Sequence, residues 1–107
     1  MKVLTIKSVE ALDEEMRNEV HHSLGMEHYT DYVFQPRAAQ KYSATIVLEE
    51  SGPVIEKIKQ KSRSFPGLEF LIDDLDMDQN TIERYRLKHG KTLGYQRTGW
   101  KWSENNR

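Results

Sequence analysis

TIERYRLKHGKTLGYQRT, residues 81–98, is the stretch on which the fold turns. Read with a helical period, Thr81–Lys88 would continue from an Asp78 N-cap. Read with period two, Tyr85 and Leu87 alternate with Arg84, Arg86 and Lys88, and the alternation resumes after His89-Gly90. A glycine supplies the positive φ that two-residue hairpin turns require. The second reading is preferred: strands at about 82–88 and 91–98 with His89-Gly90 as the turn.

With that turn and a regular ladder, Lys88 faces Lys91, Arg86 faces Leu93, Arg84 faces Tyr95, and Ile82 faces Arg97. Side chains alternate between sheet faces, so Arg84, Arg86, Lys88, Lys91 and Arg97 are expected on one face with Leu93 and Tyr95. Lys101 joins them unless a bulge at Gly99 intervenes. The opposite face would carry Tyr85, Leu87, Thr92, Gly94, Trp100 and Trp102 toward the core. A row of cations beside a tyrosine suits a phosphate backbone with bases stacking on the ring. The same cations also serve an edge hairpin by discouraging further strand pairing.

The charge of the whole chain agrees with this placement. Residues 79–107 hold seven Lys/Arg against two acids, and residues 1–78 hold nine against fifteen, so a net charge of −1 hides a polarised molecule. Such a field gathers an acidic partner, either single-stranded nucleic acid or an acidic protein surface. It also permits a homodimer in which the two charge regions pair.

Working outward, Lys2–Ile6 reads as a first strand. Ser8 offers an N-cap to a helix whose apolar stripe is Val9, Leu12, Met16, Val20 and Leu24, ending at Gly25. Tyr29–Gln35 reads as extended up to Pro36. Lys41–Glu49 (KYSATIVLE) reads as a strand buried on both faces. Pro53 opens a second helix, which Phe65-Pro66-Gly67 ends; Val54, Ile55 and Ile58 form its stripe, and Lys57, Lys59 and Lys61 stay in water. Leu68–Ile72 is a further strand, and Asp73–Asp78 an acidic loop.

The order β-α-β-β-α-β plus a hairpin makes one α+β domain over residues 1–107. The expected fold is the ferredoxin-like antiparallel sheet with both helices on one face. The alternative is an OB-like barrel with an extra N-terminal helix.

Several chemistries are excluded. With no cysteine there is no disulfide, thiolate zinc site or Cys nucleophile, which fits a cytoplasmic protein. No apolar run approaches the ~20 residues that cross a bilayer, so no membrane role is expected. Asp74, Asp76, Asp78 and Asn80 alternate like the start of a calcium loop, but Gln79 and Tyr85 stand where that loop needs Gly and Glu. A magnesium site from Asp73, Asp74, Asp76 and Asp78 is the weaker alternative to a solvated loop. His21, His22 and His28 lack metal-ligand spacing and read as surface histidines. There is no phosphate-binding glycine loop and no nucleophile elbow. No cofactor and no metal are expected. The chain reads as a binding protein rather than an enzyme; a small metal-independent ribonuclease using His89 as general base is a lesser alternative.

Two stretches resemble known families. Tyr32–Ala39 and Lys41–Leu48, with the helix at Pro53–Ser62, resemble the core of phage single-stranded DNA-binding proteins, an OB-fold family in which a KYSxTLL strand leads into a lysine-rich helix. Glu49-Glu50 stands where that family has Pro-Lys. Pro53–Ile58, Phe65–Phe70 and Arg84–Lys91 resemble the YubB-type ferredoxin-like domain of plasmids and phages. Both likenesses imply a mobile-element accessory factor. An inhibitor of a host protein, working through its acidic surface or its basic hairpin, is the alternative.

Overall fold

In the computed structural model, which describes residues 1–26, 32–34 and 41–99, apolar alternation has become sheet almost wherever it occurs. The strands are β1 (Lys2–Ser8), β2 (Tyr32–Phe34), β3 (Ser43–Leu48), β4 (Glu69–Asp76), β5 (Thr81–Lys88) and β6 (Lys91–Gly99). The helices are α1 (Glu14–Leu24) and α2 (Gly52–Lys61), the latter followed by a 3₁₀ turn at Ser62–Ser64. Five long strands and the three-residue β2 form one antiparallel sheet in the order β2-β3-β1-β4-β5-β6. It is an open sheet with β2 and β6 at its edges, not the closed barrel of the alternative reading. The reason is that β1 lies between β3 and β4, so α2 crosses over a strand instead of joining neighbours.

The core lies on one face. Leu4, Ile6, Ala44, Ile46, Phe70, Ile72 and Leu87 share a pleat parity and join Val20 and Leu24 of α1 and Val54, Ile55 and Ile58 of α2 in a single cluster. Among the described residues, no helix covers the other face. Val47, Val3, Leu75, Ile82 and Thr98 follow one another across it from β3 to β6. This corrects the expectation that β3 is buried on both faces: Ile46 is fully buried, but Val47 is 40% exposed.

Three local boundaries differ from expectation. Ser8 is not the cap of α1 but the last residue of β1. It is buried; its Oγ donates to the Glu10 carbonyl at 2.9 Å and accepts the Tyr42 N–H at 2.9 Å. The cap is Asp13, whose carboxylate accepts from the Met16 N–H at 2.7 Å. Val9 therefore falls outside the helix. Asp13→Ala should cost about 1 kcal/mol of stability, read as a lowered urea midpoint at unchanged slope. Gly25 closes α1 at φ 69°, as its position suggested.

The second difference is the acidic segment, which is strand as far as Asp76; only Met77 and Asp78 belong to the turn. Asp73 and Asp74 belong to β4 and point to opposite faces, so the four carboxylates do not converge. Among the described residues, no group of three or more His, Asp or Glu is placed to hold a metal ion. Asp74 is buried and accepts the Ser51 Oγ proton at 2.6 Å, which ties β4 to the start of α2.

The third concerns the histidines. His22 is exposed, but His21 is buried, with Nδ1 3.0 Å from Tyr42 Oη. His28 and the ends of the Tyr29–Gln35 segment lie outside the described residues. Among those described, no helix is long and apolar enough to cross a membrane.

Candidate nucleic-acid interface

The hairpin forms as expected. His89 and Gly90 both have positive φ, 51° and 75°, the pair of left-handed residues that a type I′ turn needs. Lys88 faces Lys91. Beyond the turn the register departs from a regular ladder. Leu87 pairs with Thr92, but Arg86 pairs with Gly94, leaving Leu93 as an extra residue on β6.

One inserted residue reverses every later side chain. Arg84 faces Gln96 and Tyr85 faces Tyr95, while Arg97 lies across from Glu83. The expected single row of cations is therefore split. Arg84, Arg86, Lys88 and Lys91 stay on one face; Tyr95 and Arg97 are on the other, with Tyr85. Gly94, expected toward the core, lies on the uncovered face, and Trp100, Lys101 and Trp102 lie outside the described residues.

The arginines are also engaged. Arg84 donates from Nε and Nη2 to the two Asp73 carboxylate oxygens at 2.7 and 3.0 Å, which raises the guanidinium pKa further. Arg86 makes the same two-pronged contact with Glu69 at 2.9 and 3.2 Å. That hydrogen bond holds the Glu69 carboxyl below the usual carboxylate range. Glu69 then binds a proton more weakly in the fold than in the unfolded chain. Its stabilising share is complete above the ordinary Glu value of about 4.3 and is lost as pH falls through the lowered folded value. Urea midpoints should fall on acidification below about pH 4, and Glu69→Gln should flatten that part of the profile.

On the opposite face Glu83 collects two phenols. Tyr85 Oη donates to it at 2.9 Å and Tyr95 Oη at 3.1 Å; the rings are 5.1 Å apart, and Arg97 Nε is 3.8 Å from the carboxylate. Loss of hydration first, and the Glu83 carboxylate second, hold both phenols above their ordinary value. Tyr95 is thus an anchored ring. Lying across from Tyr85, it is four residues, or about 13 Å, from the turn, and so is not beside His89.

A different basic cluster emerges at the hairpin tip. The Gly90 N–H donates to Ser62 Oγ at 2.8 Å, joining the tip to the 3₁₀ turn after α2. The Arg63 side chain lies against Gly90 so closely that a Cβ there would come within 2.4 Å of Nε. Lys61, Arg63, Lys88 and Lys91 are therefore gathered at one end of the sheet, and none has an ion pair among the described residues. Lys88 lies across from Glu69, but Arg86 takes that carboxylate. Lys88 and Lys91 were legible in the sequence. Lys61 and Arg63 were missed because they read as the wet end of a helix. The signal was available: if 69–76 pairs with 81–88, the residues before Glu69 must adjoin those after Lys88.

The acids gather at the far end. Asp76 Oδ1 accepts the Asp78 and Gln79 N–H groups at 2.9 and 3.2 Å, organising the β4–β5 turn. A polar recess of about 160 Å³ lies there between Lys2, Asp74, Asp76, Glu83 and Arg97. Its carboxylates are taken by Ser51, by the turn amides and by the two tyrosines, one Asp74 oxygen excepted.

Fold and surface together define an α+β domain with an open antiparallel sheet, one basic end and one acidic end. Compared with protein-family models, with characterised proteins and with solved structures, the chain has no match.

Proposed function

We propose that this is a ferredoxin-like βαββαβ domain, extended by a hairpin, that binds single-stranded nucleic acid at its basic end without catalysing a reaction. The observation that carries this reading is the gathering of Lys61, Arg63, Lys88 and Lys91, free of ion pairs among the described residues, around the Ser62–Gly90 contact. Cations already satisfied by carboxylates gain little from a phosphate; unpaired ones release counterions when they meet it. Arg84 and Arg86 brace the hairpin against β4 in this reading and do not contact the strand.

The order β2-β3-β1-β4, with α1 and α2 as crossovers, supports the ferredoxin-like assignment. The likeness of residues 53–94 to the YubB-type domain supports an accessory factor of phage or plasmid type. The protein-docking alternative draws on Leu93 and Tyr95, which are 51% and 55% exposed.

A titration of a single-stranded oligonucleotide against salt tests the reading. Four neutralised phosphates give a slope of log K against log salt of roughly −3. Absence of binding at about 50 mM salt, where such pairing is strongest, would remove it.

A further inference from the structure

We infer that β6 is the self-association edge of this protein and pairs antiparallel with β6 of a second copy about a two-fold axis at Gln96. The inference does not rest on nucleic-acid binding. Strand β6 is nine residues long and ends the sheet, so its outward N–H and C=O groups have no strand partner among the described residues. The other edge, β2, is only three residues long. The two large apolar side chains with the greatest exposure among the described residues, Tyr95 and Leu93, are both on β6. Glu83 already holds the Tyr95 ring in place, so little side-chain freedom remains to be lost on association.

Charge selects the occupant and the register. The charged residues of β6 are Lys91 and Arg97, both basic. Centring the pair on Gln96 sets Tyr95 opposite Arg97 of the second copy, twice, a cation-over-ring contact. It also keeps the Leu93 bulge at the very end of the paired segment, opposite Gly99 of the second copy. Centring on Arg97 would set arginine against arginine, which is unfavourable directly across strands. Centring on Tyr95 would carry the bulge into the ladder.

The antiparallel arrangement also inverts one polarised molecule against the other. The basic tip of each copy then lies beside the acidic β4–β5 turn of its mate, about three strand spacings or ~14 Å away. A second copy of this chain is thus the partner that brings an acidic turn toward the basic tip at both ends of the edge, and the two-fold closes without further growth.

The chain has no cysteine, so single-cysteine variants report the geometry cleanly. In the inferred pair, Gln96 lies about 5 Å from its twin, within disulfide reach, whereas Thr92 lies ~26 Å from its own. Sedimentation equilibrium should show a reversible wild-type dimer. Mild oxidation should convert Gln96→Cys, but not Thr92→Cys, to a covalent dimer that reductant reverses. Tyr95→Lys, which sets a lysine against Arg97, should weaken the wild-type association at least tenfold. A wild-type monomer at about 100 μM, well above the Kd of a specific interface, would overturn the inference. So would equal cross-linking of the two cysteine variants, or a dimer whose Gln96→Cys form does not cross-link.

Discussion

Reversing Lys88 and Lys91 to glutamate is expected to reduce affinity for a single-stranded oligonucleotide by about 10- to 100-fold at 50 mM salt. The salt slope should become shallower by roughly 0.7 for each phosphate that is no longer neutralised. The two side chains sit side by side at the mouth of a type I′ turn, and neither is ion-paired among the described residues. Lys88 does lie across from Glu69 and helps to hold its carboxyl low, so Lys88→Glu sets like charges opposite each other and the urea midpoint should fall, by less than in a variant that breaks a two-pronged ion pair. Arg63→Glu is expected to act in the same direction.

The pair Arg84→Glu/Arg86→Glu makes the informative contrast. Each substitution breaks a two-pronged ion pair and sets like charge beside Asp73 or Glu69. This variant should lose stability and keep most of its affinity at temperatures where it is folded. If instead it loses binding while Lys88→Glu/Lys91→Glu keeps it, the interface is the uncovered sheet face and not the tip.

The largest loss of stability is expected from Phe70→Ala, about 3–5 kcal/mol. Phe70 is fully buried and has Ser8 of β1 and Leu87 of β5 as its cross-strand neighbours. With Ile72, which lies across from Tyr85, it joins the hairpin to the core of the first four strands. Against a total stability of roughly 5–15 kcal/mol for a domain of this kind, the variant should be near its midpoint in water or in very little urea. Leu93→Ala, half-exposed on the bulge, should change stability by no more than about 0.5 kcal/mol. Similar midpoints for the two variants would mean that Phe70 is not packed in the core.

The element order was legible because its signals are local. Short β-branched or apolar runs marked β1, β3 and β4, alternation marked β5, apolar stripes marked the two helices, and His89-Gly90 marked the turn at the position where both residues take positive φ. Boundaries failed where a polar residue had a tertiary use. Ser8 looked like a cap, but it bonds to Tyr42, thirty-four residues away. Asp73 and Asp74 looked like loop residues. In β4 Asp73 is paired with Arg84, and one oxygen of Asp74 accepts from Ser51; a carboxylate inside a strand needs such partners.

By itself the amino-acid order determined that this chain makes strands, helices and a tight hairpin, and that its cations concentrate after residue 78. It did so through turn chemistry and periodicity, which act over a few residues. Only the tertiary structure decided which cations are available. Strand β4, brought alongside β5, neutralises Arg84 and Arg86; one bulged residue turns Tyr95 and Arg97 to the other face; and the Ser62–Gly90 contact adds Lys61 and Arg63 to the tip. Those outcomes depend on pairing between distant segments and on a single-residue register step, and neither leaves a periodic trace in the sequence.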